Sequence, residues 1–158
     1  MPSATPLGTA TVPSRGGGLR AFSRSTLELA GLTGVTVRLY RAAVLSLESF
    51  ADWPVFIGAI VLAVVLLCGV LTWHLSNFPL RRWPWRVAAF IGIEVAAEFG
   101  MSSVLIALHR EPLGSGIAGW SDWWSLAGQT LLERALVLGG YAGLLAVAMW
   151  LVTRRRAS

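Results

Sequence analysis

An all-α integral membrane protein is the fold class this sequence predicts, on three observations. Of its 158 residues, 55% are hydrophobic and only 13% are charged, against about 25% charge in an ordinary soluble domain. Three apolar runs are long enough to cross a bilayer. The tryptophans gather at the ends of those runs and in the loops between them, where an indole buries its body and keeps its N–H wet. The length holds three to four spans or one soluble domain, but not both. Extensive disorder is excluded by the hydrophobicity, and a disulfide scaffold by the single cysteine, Cys68.

Taken in order, residues 1–18 (MPSATPLGTATVPSRGGG) lack bulky apolar residues and read as a disordered tail. No apolar h-region follows a basic start, so no cleavable signal peptide is expected, and Pro2 does not fit a myristoylation pattern. Residues 19–53 read as an amphipathic helix. At 100° per residue Leu29, Leu32, Leu39, Tyr40, Ala43, Leu47 and Phe50 share one face, and Arg38, Arg41, Glu48 and Asp52 the other. The reading favoured is a helix lying in the membrane plane. A fourth span is the alternative, and it would put two arginines into hydrocarbon at roughly 2.5–3.5 kcal/mol each. The Thr33–Val37 stretch has poor helix propensity and predicts a late start or a break.

The predicted spans are 54–75, 87–108 and 130–152, about 33 Å each at helical rise. The first has no charge, the second contains Glu94 and Glu98, and the third opens with Glu133 and Arg134. A short loop (76–86) and a longer one (109–129) join them, the longer with room for a surface helix near Trp120. Residues 153–158 form a basic tail. Trp53, Trp73, Trp83, Trp85, Trp120, Trp123, Trp124 and Trp150 are the expected interfacial anchors.

All 13 basic residues are arginines, a bias that suits GC-rich coding and a bacterial source. They flank apolar runs instead of clustering on a soluble face, so they read as topology determinants, and no nucleic-acid partner is expected. Arg81, Arg82 and Arg86 in the short loop, with Arg154–Arg156 after the last span, put that loop and the C-terminus in the cytoplasm of a bacterial inner membrane. Three spans then leave the N-terminus outside, against the pull of Arg15, Arg20 and Arg24. Four spans would remove that conflict.

Glu94 and Glu98 are the strongest functional signal. They lie four apart on one helical face, near mid-membrane, where a carboxylate is costly. They serve either as hydrogen-bonding glue between helices, the favoured reading, or as a proton or cation relay, with Tyr141 at a similar depth. Gly92, Ala96, Gly100 and Ser103 form a small-residue stripe nearly opposite them, and Ala135, Gly139, Gly143 and Ala146 form another in the last span. Such stripes admit close helix packing. Three helices cannot serve both the polar and the small faces, which predicts partner subunits or a homo-oligomer, besides lipid.

His74 and His109 fall at opposite membrane faces and cannot share an ion. No metal or other cofactor is predicted, with room left for a haem or chlorophyll contact through one histidine. There is no CxxC, HExxH, P-loop, GxSxG or GxGxxG pattern. The expectation is a non-enzymatic accessory or scaffolding subunit of a multisubunit inner-membrane complex, with a respiratory or photosynthetic complex as the candidate setting. The alternative is a small oligomeric proton- or cation-coupled transporter or channel using Glu94 and Glu98.

Overall fold

A computed structural model describes residues 22–46, 53–113 and 116–156. The expected tail at 1–18, the residues Leu47, Glu48, Phe50 and Asp52, and the end of the C-terminal tail lie outside the described residues, as does the side chain of Trp53. Four long helices account for nearly all of the rest: α1 (Thr26–Ser46), α2 (Trp53–Leu75), α3 (Trp83–Ala107) and α4 (Trp123–Arg156). A 3-10 turn, Leu80–Arg82, leads into α3, where Pro84 occupies an early position that needs no N–H donor. A two-residue-per-strand hairpin, β1 (Pro112–Leu113) with β2 (Gly116–Ile117), sits between α3 and α4.

Three of the helices, α2, α3 and α4, are long and apolar enough to cross a membrane. The chain is an all-α protein with the character of a membrane protein. Its exterior supports this. Val61, Leu62, Val65 and Leu66 of α2 and Leu132, Leu136, Leu144 and Val147 of α4 all face outward, an apolar coat that water would penalise at about 25 cal/mol per Å². The helix α3 is central: 44% of its most apolar window is buried, against 11% for each of the other two. Leu67, Leu71 and Leu75 of α2, Phe90 and Val95 of α3, and Leu138 and Ala142 of α4 make one core with Leu29 and Ala30 of α1.

The helix α1 is not among the three helices long and apolar enough to cross a membrane. It runs lengthwise along α3 and makes the most extensive helix pairing in the molecule. Thr26 meets Arg86 at one end, and Arg38 meets Ser102 at the other, so α1 and α3 are parallel. Against α2 it is antiparallel, with Thr26 bonded to His74 and the Tyr40 hydroxyl to the carbonyl of Ala59.

Its buried residues are Leu29, Ala30, Gly34, Arg38 and Ala42, so both predicted faces contribute to the packing, while Leu32 and Leu39 are exposed. The helix does not break at 33–37. The Thr33 and Thr36 hydroxyls donate to carbonyls one turn back, at Leu29 and Leu32, and Gly34 sits at the crossing. A Cβ there would lie 2.1 Å from the Glu94 carbonyl oxygen, so only glycine lets the two backbones approach so closely.

The surface helix expected near Trp120 is part of α4, which starts at Trp123 and runs 34 residues without interruption. Arg134 therefore sits three turns inside the helix, not at its mouth.

Candidate functional site: a buried chain of alternating charges

The geometry of α3 brings Glu94, Glu98 and Ser102 onto one inward stripe, one turn apart. The parallel α1 sets Arg38 against the far end of that stripe, and the antiparallel α4 sets Arg134 against its middle. The fifth charge comes from outside the helices. After Ala107, α3 closes with His109 in the left-handed region (φ 53°). The Arg110 N–H then reaches the Leu105 carbonyl and the His109 N–H reaches that of Ile106, the paired closure of a Schellman motif. The chain folds back at once, the hairpin is tied by the Ala118 N–H to the Glu111 carbonyl at 2.8 Å, and the Glu111 side chain turns in among the helices.

The five groups make a single file, Glu111, Arg38, Glu98, Arg134, Glu94, with signs alternating. Arg38 grips Glu111 with two nitrogens, Nε to Oε2 at 3.3 Å and Nη2 to Oε1. It also donates through Nη2 to the Ser102 hydroxyl at 3.2 Å and through Nη1 to Glu98 Oε1 at 3.4 Å. Arg134 takes the other oxygen of Glu98 with Nη2 and Glu94 Oε1 with Nε, both at 3.1 Å. Glu98 thus bridges the two guanidinium groups and joins α1 to α4 through α3. None of the five residues is more than 8% exposed. Bidentate guanidinium–carboxylate pairing supplies the directed donors that make buried ions tolerable. Among the described residues one atom is left over: Glu94 Oε2 is buried without a hydrogen-bond partner.

A cleft of about 370 Å³ between α1, α2 and α4 reaches the file at Arg134. Its walls are chiefly apolar, among them Val37, Ala63 and Leu67. Arg41 and Glu133 also line it, as a half-exposed pair 3.9 Å apart.

A second polar cluster ties the other end of the bundle. His74 is fully buried. Its Nδ1 lies 2.9 Å from the Ser23 carbonyl, which can only accept, so Nδ1 carries the hydrogen. Nε2 then accepts from the Thr26 hydroxyl at 3.2 Å, and that hydroxyl accepts from Arg86 Nη1 at 2.8 Å. Arg86 also stacks over Phe78, 4.1 Å from its ring centroid. One histidine so clamps α1, α2 and α3.

Of the residues singled out from sequence, Glu94 and Glu98 meet in this file. Tyr141 does not join them: its hydroxyl pairs with Thr72 of α2 at 2.7 Å. Gly92, Ala96 and Gly100 lie on the outer side of α3, and Ala135 and Gly143 on that of α4. A Cβ added at Gly92, Gly100, Gly139 or Gly143 would meet nothing within 4 Å. Ser103 accepts from the Trp123 indole at 3.0 Å, and Ala146 packs at the edge of the core. Trp85, Trp120 and Trp124 are exposed, and Trp73 and Trp150 about half so. Trp83 is buried, and its indole N–H donates to the Phe78 carbonyl at 3.1 Å. His109 is exposed at the end of α3, remote from His74, and among the described residues no three His, Cys, Asp or Glu are grouped to hold a metal ion.

Arg38, Arg134 and Glu111 are the members that sequence reasoning did not place. Arg38 and Arg134 carried a signal, because an arginine well inside an apolar helix needs a carboxylate. Glu111 carried none beyond its place in a loop. No protein-family model, curated protein or solved structure matches the chain.

Proposed function

We propose that this chain is a non-enzymatic scaffolding subunit of a bacterial inner-membrane complex, built as a four-helix bundle with all four helices crossing. The observation that carries it is the division of labour between faces. The charged groups inside the bundle hold one another, with Glu94 Oε2 left over among the described residues, while Gly92, Ala96 and Gly100 of α3 and Ala135 and Gly143 of α4 stand on the outside. A carboxylate held by guanidinium groups is a clamp, and an open glycine stripe is where another helix packs closely.

The crossing of α1 is supported by its course along α3 and by its outward face. Between Glu28 and Ser46 that face offers Leu32, Thr36, Leu39 and Ala43 and no charge. Its arginines enter the membrane already paired, which lowers the insertion cost that favoured an in-plane helix. Four spans also resolve the charge asymmetry. Arg15, Arg20, Arg24, Arg81, Arg82, Arg86 and Arg154–Arg156 then fall on the cytoplasmic side with both termini, and Arg110 with Glu111 and Asp122 on the other.

The test is purification from the native membrane in mild detergent, comparing the wild-type chain with Gly92→Leu and Gly100→Leu. Each variant is expected to fold as before, since no described residue lies within 4 Å of a Cβ at either position, and to lose its co-purifying membrane partner. A chain that is isolated alone, or that keeps its partners in both variants, overturns the proposal. The transporter alternative draws on one observation, the unpartnered Glu94 Oε2. In liposomes the scaffolding reading expects no ion flux from the wild type, and flux abolished by Glu98→Gln would reverse the ranking.

A further inference from the structure

The file of charges is odd in number and begins and ends on a carboxylate: three carboxyl groups against two guanidinium groups, all buried. Fully ionised, it leaves one negative charge in a medium that does not solvate it. Arginine keeps its proton under all ordinary conditions, so the imbalance falls to the acids. Their surroundings distinguish them. Glu98 accepts on both oxygens, and so does Glu111. Glu94 accepts on Oε1 alone. A proton on either of the first two would break an ionic hydrogen bond, whereas a proton on Glu94 Oε2 breaks none.

We propose that this cluster is a binding site for one exchangeable proton, held at Glu94 Oε2 and exchanging through the cleft that opens beside Arg134. The groups around it are few. α3 itself presents Glu98, α1 presents Arg38, α4 presents Arg134, and the loop presents Glu111. The Arg41–Glu133 pair lies farther out along the cleft. From α2 the cleft receives only apolar side chains such as Ala63 and Leu67. Loss of the proton gives Glu94 carboxylate, which keeps its bond to Arg134 but leaves the file with one buried negative charge that no guanidinium balances, a desolvation cost that falls on the folded bundle. The bundle therefore holds most firmly on the acid side and weakens as pH rises through the titration. The inference requires no transport, and it holds whether the chain is a scaffold or a carrier.

The experiment is an infrared pH titration of the full chain in lipid nanodiscs, with proton release measured in parallel. The wild type is expected to show one protonated-carboxyl C=O band that disappears on raising the pH, with about one proton released per chain and a falling thermal midpoint. Glu94→Gln, which brings the file to two carboxylates and two guanidinium groups, should lose the band, the release and the pH dependence together. If circular dichroism shows that variant unfolded, Glu111→Gln makes the same balance and should give the same loss. Arg38→Gln should gain a second band. A wild type with no such band at any pH overturns the proposal, as does a band that persists in Glu94→Gln and Glu111→Gln. A band that depends on sodium or potassium at fixed pH also overturns it, in favour of a monovalent cation at the lone oxygen.

Discussion

Gly34 offers the sharpest test of the architecture, because two readings of α1 predict opposite signs for one methyl group. On a helix lying in the membrane plane with that face unpacked, Gly34→Ala stabilises by up to about 1 kcal/mol through helix propensity. In the bundle the new Cβ would stand 2.1 Å from the Glu94 carbonyl oxygen and 3.0 Å from the Glu98 backbone nitrogen. The first is 1.3 Å short of the 3.4 Å at which ordinary contact begins. Both obstacles are backbone, so neither rotates away, and α1 must back off from α3. Overpacking of that kind costs typically 1–3 kcal/mol or more. Retreat by about an ångström also stretches the Arg38–Glu98 contact, already 3.4 Å long. Set against the propensity gain, a net loss of roughly 2 kcal/mol is expected.

Gly31, one turn earlier in the same helix and with nothing within 4 Å of its Cβ position, is the matched control. Gly31→Ala should be neutral or mildly stabilising. The assay is reversible unfolding in mixed micelles, followed by circular dichroism at constant protein-to-detergent ratio. Equal stability of the two variants would refute the close crossing of α1 and α3, and with it the placement of Arg38 in the file.

Other consequences follow from the same contacts. Arg38→Leu strands Glu111 and leaves Glu98 to Arg134 alone, and is expected to cost about 3–5 kcal/mol. Adding Glu111→Leu should restore part of that stability, and simple additivity in this cycle would show that the two do not interact. Tyr141→Phe removes only the hydroxyl that pairs with Thr72, so a loss of about 0.6 kcal/mol is expected, typical of a polar contact between membrane helices. A loss several times larger would place Tyr141 in the charge file after all. Trp83, buried with its N–H satisfied, should emit at short wavelength and resist an aqueous quencher, whereas Trp85 and Trp124 should be quenched. A chain retaining only Trp83 that is quenched as readily as one retaining only Trp85 would contradict the packing of the 76–86 turn.

Much of this molecule is written in its one-dimensional pattern. Spans are set by local quantities, the run length of apolar residues and the absence of charge, and those quantities need no neighbour. The cost of Glu94 and Glu98 in mid-span is equally local, so their burial was legible before any helix had a partner. Pairing is a different kind of fact. Arg38 and Glu98 are sixty positions apart, and no period connects them. On a helical wheel Arg38 marks a polar face without saying whether that face meets water or an acid. The proposed crossing of α1 rests on that point, since an insertion cost is reckoned for a lone arginine and α3 and Glu111 remove its solitude. In the same way the polar and the small-residue faces together predicted helices from elsewhere, because three spans cannot serve both, and no period could show that α1 of the same chain brings Arg38 to Glu98.

Sequence alone determined that the chain is helical and apolar enough for a bilayer, where its three apolar spans lie, and that Glu94 and Glu98 are buried, because each of these depends on the free energy of one segment in one solvent. Only the tertiary structure decided which way α1 faces, that Gly34 is a crossing point, and that five distant charges form one odd-numbered file. Those depend on which segments meet, and a meeting is fixed by the shapes and charges of both partners at once.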